Sequence, residues 1–202
     1  MTHPKNAQVD HEILDVIRTR WSPRAFDPDR PVTRETLLQL FEAARWAPSS
    51  RNAQPWHFLV ADRAATPDAF RDLSGCLLGK NPEWAPAAPV LMLAAVRTTL
   101  EADGSLNRSA LYDTGLAVGF LTLQATALGL ASRQMGGFDR KRAREQLKVP
   151  APFEPAVMIA LGYPGEPDGL SIESQRQAEH QPRERRPISA FAFDGTWGKG
   201  FD

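Results

Sequence analysis

Three short apolar runs constrain the fold of this chain more than any other feature of its sequence. They read WHFLVA at 56–61, PVLMLAAV at 89–96 and AVMIALGY at 156–163, and each is bounded by proline, glycine or charged residues. Short and nearly continuous apolar runs are typical of strands that are buried on both faces. The sequence therefore predicts that these runs are central strands of one sheet.

Amphipathic segments accompany these runs. Apolar residues recur at helical spacing over 9–17 and over 37–44, and Thr33 is the expected N-cap of the second segment. Two more helices are predicted, over 66–78, where proline follows threonine, and over 138–149, where an aspartate at the second position is the expected cap. Strands and helices thus alternate, but not in the order of a simple doubly wound sheet, so the expected class is α+β.

Two further segments have a distinctive composition. Residues 109–130 are apolar or small almost all round, which predicts a helix buried on most sides. Gly115 and Gly119 within it suggest that another backbone packs closely there. From residue 165 to 202 the chain is polar and contains prolines without a period of its own, so we interpret it as a C-terminal arm.

Length, charge and cysteine content limit the possible functions. A chain of 202 residues is expected to form one domain, 1–202. Basic and acidic residues both number 24, so no overall field draws the protein to nucleic acid or to an anionic membrane. Cys76 is the only cysteine, which excludes an intrachain disulfide and a cysteine-cluster metal site. The first residues lack the basic-then-apolar order of a signal peptide, so we expect a soluble cytoplasmic protein.

Two arginine clusters lie far apart in the sequence. The stretch RTRWSPRAF at 18–26 places three arginines around Ser22, and a second cluster, RERR, occupies 183–186. The forked guanidinium donors suit a phosphate group, and a nearby hydroxyl can complete an anion site. The alternatives are a solvated helix end for the first cluster and an exposed charge run for the second.

Two loops concentrate other binding groups. The stretch APSSRNAQPW at 47–56 carries side-chain donors and acceptors that can recognise the amide-like edge of a heterocycle. RQMGGFD at 133–139 has paired glycines, which allow close approach of a ligand or simply form a turn. No histidine spacing indicates a metal site, and neither a dinucleotide-binding glycine motif nor a nucleophile elbow is present.

The order of these motifs resembles that of the nitroreductase family of FMN-dependent oxidoreductases, from about residue 11 to the end. The resemblance rests on RTRWSPRAF, APSSRNAQPWHF, GKNPEWAPAAPV, ALGLASRQMGGFD, PAVMIALGYP and RERRPI in this order. It implies a nitroreductase-like α+β fold with a central mixed sheet flanked by helices. It also implies an intertwined homodimer that exchanges the C-terminal arms and holds one non-covalent, tightly bound FMN at each of two interface sites.

The same resemblance assigns cofactor-binding residues, and it names neither a metal ligand nor a catalytic side chain. The phosphate is expected at Arg20, Trp21 and Ser22 together with Arg183 and Arg185. The flavin ring is expected beside Arg24, Asn81, Met135, Gly136 and Gly137, and a loop from the partner subunit would supply Pro48, Ser49, Ser50 and Asn52, with Gln54 as structural support. Trp84 and Gly136 depart from the lysine and the acidic residue that are common in the family.

The activity implied by the resemblance is reduction of nitroaromatics, quinones or similar flat acceptors by NADH or NADPH in a ping-pong cycle. In such a protein the cofactor performs the redox chemistry, while the chain supplies position and electrostatics. Two alternatives stay open: a dedicated reductase or dehydrogenase for a single metabolite on the same scaffold, and a non-catalytic or regulatory flavin-binding protein.

Overall fold

The structure, a computed structural model, describes residues 4–201; residues 1–3 and 202 of the predicted domain lie outside this range. The four strands are β1 Trp56–Asp62, β2 Val90–Arg97, β3 Ala131–Met135 and β4 Phe153–Gly162. The six helices are α1 Asp15–Thr19, α2 Arg34–Arg45, α3 Pro67–Ser74, α4 Ala110–Ala127, α5 Arg140–Gln146 and α6 Glu173–His180. Over residues 4–201, no helix has both the length and the apolar character needed to cross a membrane.

The four strands form one sheet in the order β1-β2-β4-β3. The three predicted apolar runs are confirmed as the strands β1, β2 and β4, but β1 lies at an edge of the sheet and is only partly buried, so its prediction as a central strand is wrong. The other edge strand, β3, was expected to be a loop. Every strand pairing between described residues is antiparallel, so the expectation of a mixed sheet is wrong for the chain by itself. The reason is that β2 and β3, which run in the same direction, are not neighbours: β4 lies between them and runs opposite to both.

Alternate residues of β2 face two different cores. Val90, Met92 and Ala94 pack with α2 and α4 on one side of the sheet. Leu91 and Leu93 face α3 and α5 on the other side. Because side chains of a strand point alternately to its two faces, this continuous apolar run is buried on both sides by two layers of helices.

Two predicted helix caps are confirmed. The Thr33 hydroxyl accepts a hydrogen bond from the Thr36 amide at 3.1 Å and opens α2. The Asp139 carboxylate accepts one from the Arg142 amide at 2.9 Å and opens α5. These side chains satisfy amide groups that the first turn of a helix leaves without backbone partners.

Helix α4 is less buried in the single chain than its composition predicts. One face packs on the sheet through Ala117, Leu121 and Ala125. The opposite face is exposed, and no described atom lies within 4 Å of a Cβ built on Gly115 or Gly119. The predicted backbone neighbour of these glycines is therefore absent from residues 4–201 of one chain.

The first predicted helix is also shorter than expected. Only Asp15–Thr19 is helical, and Val9, Ile13 and Ile17 are exposed. The Ala7 amide donates a hydrogen bond to the Arg18 carbonyl at 2.8 Å, so the preceding segment folds back along α1 instead of extending it. Its apolar side chains line a groove that they share with the C-terminal arm, which explains why their spacing did not produce a longer helix.

The C-terminal arm contains a helix that its composition did not predict. Helix α6 is polar, and its buried side chains are Gln175 and Glu179. Lys5 donates a hydrogen bond to the Ala178 carbonyl oxygen, which joins the start of the chain to this helix. The arm is thus attached at this point through polar contacts.

Candidate functional site

The end of α1 forms one wall of a cleft. Arg20 follows the helix and donates a hydrogen bond to the Ser22 hydroxyl at 3.0 Å. From the C-terminal arm, Arg183 donates to the carbonyl oxygens of Arg18, at 2.6 Å, and of Arg20. The two arginine clusters, 163 residues apart in sequence, are therefore joined directly.

We call this cleft, of about 180 Å³, the basic cleft. Its lining comprises Lys5, Arg20, Trp21, Ser22, Arg24, Arg133, Ala178, Glu179, Arg183 and Arg185. The five residues that were expected to bind the phosphate, those at 20, 21, 22, 183 and 185, all line this cleft. Arg24, which was expected beside the flavin ring, lines it too. Sequence reasoning missed the contributions of Lys5, Arg133 and Glu179.

Three arginines of the basic cleft, Arg20, Arg183 and Arg185, lack an acidic partner within residues 4–201. Burial lowers the pKa of Arg20, and the neighbouring Arg185 lowers it further. Burial is also the main cause of the lowered pKa of Arg183, to which Arg20 and Arg185 contribute. Among the described residues, no carboxylate forms an ion pair with any of the three. The buried Arg183 Nε also has no hydrogen-bond partner there. Two partly desolvated arginines, Arg20 and Arg183, beside the exposed Arg185 favour a bound anion.

The inner side of the basic cleft is organised around a carboxylate. Glu179 accepts a hydrogen bond from the Arg24 amide at 3.2 Å and forms an ion pair with its guanidinium at 3.4 Å. Arg133, from β3, donates to the Ser22 carbonyl oxygen. Burial and the nearby Arg24 lower the pKa of Arg133, whereas Glu179 raises it.

The loop at 47–56, which we call the polar loop, lies apart from the basic cleft. Arg51, Asn52 and Gln54 have positive φ angles of 55°, 53° and 44°, which are uncommon for residues with side chains. The Asp113 carboxylate of α4 accepts a hydrogen bond from the Ser50 amide at 3.0 Å. Unusual backbone conformations that the surroundings hold in place occur often at functional sites, so the loop is a candidate binding element.

Hydrogen bonds within the loop confirm the supporting role expected of Gln54. The backbone amide of Gln54 donates a hydrogen bond to the Ser49 hydroxyl at 3.1 Å. Its side-chain amide donates to the backbone and side-chain oxygens of Asn52, both at 3.2 Å. Pro48, Ser50 and Asn52 are exposed. In the described chain, none of these loop residues lines the basic cleft, so one chain does not bring the loop and the arginines together.

The remaining predicted residues meet at the end of β3, which Asn81 contacts from the segment before β2. Asn81 Nδ2 donates a hydrogen bond to the Gly137 carbonyl oxygen at 3.0 Å. A Cβ on Gly137 would lie 3.0 Å from the same nitrogen, so a side chain there would push Asn81 away. Met135 is buried at the end of β3, and Gly136 is exposed. Asn81 therefore fixes the backbone of a glycine turn whose first residue is accessible.

Trp84, which departs from the family pattern, is a core residue. It is buried, and its ring stacks on Phe26 with centroids 6.3 Å apart. The Arg133 guanidinium lies 5.4 Å from the centre of the indole ring. Where some family members carry a lysine, this chain therefore has an aromatic ring with a cation from another strand beside it.

Together, the α+β fold and the cleft that joins two arginine clusters define a candidate anion-binding site. The model of the "Nitroreductase family" matches residues 17–163. The chain therefore belongs to the nitroreductase family, a family of oxidoreductase enzymes, and the resemblance of its motifs is confirmed.

Individual relatives agree with this assignment. An Archaeoglobus fulgidus protein named "Putative NADH dehydrogenase/NAD(P)H nitroreductase" is 31% identical over an alignment of 161 residues, and the match covers 76% of this chain and 86% of that protein. A solved structure described as an oxidoreductase containing FMN is 31% identical, with a TM-score of 0.89, and the match covers 98% of this chain and 100% of the other. A Desulfovibrio desulfuricans nitroreductase in complex with FMN is 26% identical with a TM-score of 0.69, covering 94% and 99%.

Proposed function

We propose that this chain is an FMN-dependent oxidoreductase that uses NADH or NADPH to reduce nitroaromatics, quinones or similar flat acceptors in a ping-pong cycle. The observation that carries the proposal is the basic cleft. It places Arg20, Arg183 and Arg185 together with no acidic partner among the described residues. The FMN found in related solved structures supports the choice of this anion.

The residues of the basic cleft fit the phosphate of FMN. Arg183 Nε has no partner among the described residues, and burial together with neighbouring arginines lowers the pKa values of Arg20 and Arg183; a phosphate dianion would stabilise such cations. The Ser22 hydroxyl already accepts a hydrogen bond from Arg20 and can donate its own proton to a phosphate oxygen. Arg20, Ser22, Arg183 and Arg185 would hold this group, with Trp21 beside them.

A second set of residues would hold the flavin ring. FMN supplies two-electron redox chemistry when it is bound. The Arg24 guanidinium places a positive charge at the inner side of the cleft, which favours negative charge on the pyrimidine part of the ring. Asn81 fixes the turn that carries Gly136 and Gly137, and Met135 anchors the turn in the core. These residues position and polarise the cofactor, and no side chain is assigned a proton transfer.

Homodimer formation accounts for the two features that one chain leaves unexplained. The first is the uncovered face of α4, where Leu111, Tyr112 and Phe120 are exposed beside the two open glycines. The second is the ordered polar loop, which lies outside the basic cleft of its own chain. We propose that the α4 faces of two copies pack together and that each loop, through Pro48, Ser49, Ser50 and Asn52, completes the flavin site of the other copy.

Part of the C-terminal arm is also proposed to reach the partner. Its first part contacts its own chain through Glu179 and Arg183, so this part is not free to be exchanged while those contacts hold. Beyond it, Phe191, Trp197 and Phe201 expose most of their ring surface. Exposed aromatic side chains of this kind are typical of interface residues. The exchanged segment is thus the part from Pro187 onward.

The proposal is tested by mixing the FMN-reconstituted protein with NADPH, and separately with NADH, in the absence of oxygen. Rapid bleaching of the flavin absorbance, followed by its recovery on adding a quinone, is expected. A protein that cannot be reconstituted with FMN would refute the proposal. Bound flavin that neither coenzyme reduces would instead indicate a non-catalytic binding protein, and recovery with only one metabolite would indicate a dedicated reductase.

A further inference from the structure

A buried carboxylate in the C-terminal arm contacts the arginine assigned to the flavin ring. Glu179 lies on α6 and is 3% exposed. Its Oε2 accepts a hydrogen bond from the Arg24 amide at 3.2 Å, and its Oε1 lies 3.4 Å from Arg24 Nη1. One carboxylate therefore holds both the backbone and the side chain of Arg24.

Glu179 lies among several cations. Glu179 is the one carboxylate among the described residues that line the basic cleft. Lys5, Arg24 and Arg133 line the same cleft. Burial lowers the pKa of Lys5, and Glu179 acts in the opposite direction, as it does for Arg133. The carboxylate thus offsets part of a positive potential that three side chains produce.

Attachment of the arm does not by itself explain a buried charge at this position. Lys5 already binds the Ala178 carbonyl oxygen, and Arg183 binds two carbonyl oxygens at the end of α1. Burial of a carboxylate carries a large desolvation penalty, and a buried ion pair can often be replaced as a whole by well-packed apolar residues without loss of stability. What a carboxylate adds here is a defined position and a reduced effective charge for Arg24.

We propose that Glu179 is a positioning residue that acts through Arg24: it fixes the guanidinium and offsets part of its charge, and so sets the reduction potential of the bound flavin. This inference rests on the proposed function. Reduced flavin carries more negative charge than oxidised flavin, so a cation nearby stabilises the reduced form more and raises the potential. A carboxylate that is paired with that cation weakens the effect.

The first test is Glu179→Gln, which keeps the size and a hydrogen-bond acceptor but removes the charge. With FMN saturating, the potential should rise, and a tenfold change in the ratio of affinities for reduced and oxidised FMN corresponds to about 30 mV for a two-electron couple. Glu173→Gln is the matched control, because Glu173 is exposed on the same helix and pairs with Arg176. Its potential should equal that of the wild type.

A double-variant cycle tests whether the effect passes through Arg24. In the Arg24→Ala background, Glu179→Gln should produce less than half of the shift that it produces in the wild type. An unchanged or lower potential in the single variant, or a full shift in the Arg24→Ala background, would overturn the proposal.

A third variant covers the case in which Glu179→Gln does not fold. Glu179→Asp keeps the charge and withdraws it by one methylene, so a smaller rise in potential is expected. If this variant has the wild-type potential, the inference is wrong. These outcomes differ from failure of the proposed function, in which the wild-type protein itself would not bind FMN or accept electrons from NAD(P)H.

Discussion

Truncation of Arg183 tests whether the basic cleft binds a phosphate group. We expect Arg183→Ala to weaken FMN binding much more than it weakens binding of riboflavin, which has the same ring and no phosphate. Arg183 is half-buried and its Nε has no partner among the described residues, so a phosphate oxygen would meet a donor that water does not already satisfy. The ratio of the two affinities isolates the phosphate contact from general damage to the site.

The magnitude follows from the kind of bond. A hydrogen bond to a charged group contributes about 1.5–3 kcal/mol. Since about 1.4 kcal/mol corresponds to a tenfold change in affinity, the Kd for FMN should rise by roughly 10-fold to 150-fold. For Arg185→Ala we expect the lower end of that range, because Arg185 is exposed and solvent screens its charge.

The assay is a fluorescence titration of the apoprotein with each flavin. Arg186→Ala is the control: Arg186 is the next arginine of the same arm, but in the described structure it lines a different groove, so both affinities should be unchanged. Equal losses for FMN and riboflavin in Arg183→Ala would refute the phosphate assignment. They would show that the arginine only holds the carbonyl oxygens of α1 in place.

Four further outcomes are expected. Arg24→Ala should lower the potential of bound FMN by about 30–60 mV, from the loss of about 1.5–3 kcal/mol that favours the reduced form; potentiometry with FMN saturating checks this, and an unchanged potential would reject the role. In Gly119→Arg the new side chain meets open space in the single chain, so the circular dichroism spectrum should be unchanged. Light scattering should show a monomer, and FMN binding should be lost. A dimer that retains FMN would contradict the proposed interface. Asp113→Ala leaves the Ser50 amide without its acceptor and should weaken FMN binding by about 1–3 kcal/mol, as titration would show; wild-type affinity would mean that the loop does not contact the cofactor. Inorganic phosphate should stabilise the apoprotein by about 2.7 kcal/mol at 100 times its Kd, and thermal unfolding that is insensitive to phosphate would count against an anion site.

The central strands and the helix caps were predictable from sequence because local chemistry determines them. An apolar run as continuous as that of β2 needs burial on both faces, and Thr33 and Asp139 satisfy amide groups only three residues away. Strand β3 was missed because it is five residues long and three of its five side chains are polar. Helix α6 was missed because it is polar, and a polar segment has no periodicity that reveals which side is buried.

The meeting of Arg20, Ser22, Arg183 and Arg185 in the basic cleft was predictable only from the order of motifs. The residues at the inner side of the cleft were not predictable. Lys5 contacts a residue 173 positions away, and Arg133 contacts Ser22 across 111 positions. A single basic residue in a short strand has many possible partners, and no local pattern selects one of them. The uncovered face of α4 was mispredicted for a related reason, since composition records that a surface is apolar but not whether its own chain covers it.

The basic cleft links the binding of an anion to the position of the arm. Six basic side chains and one carboxylate line it, in a chain whose net charge is zero. They come from the start of the chain, from β3 and from the arm, so their mutual repulsion acts between segments that are distant in sequence. Without an anion, the hydrogen bonds of Arg183 go to carbonyl oxygens, which offset the loss of hydration but not the repulsion from the neighbouring arginines. A phosphate carries about 1.5 to 2 negative charges and would offset both. Because a ligand stabilises the state that binds it, the docked arm is the part of the fold whose stability should depend most on the cofactor.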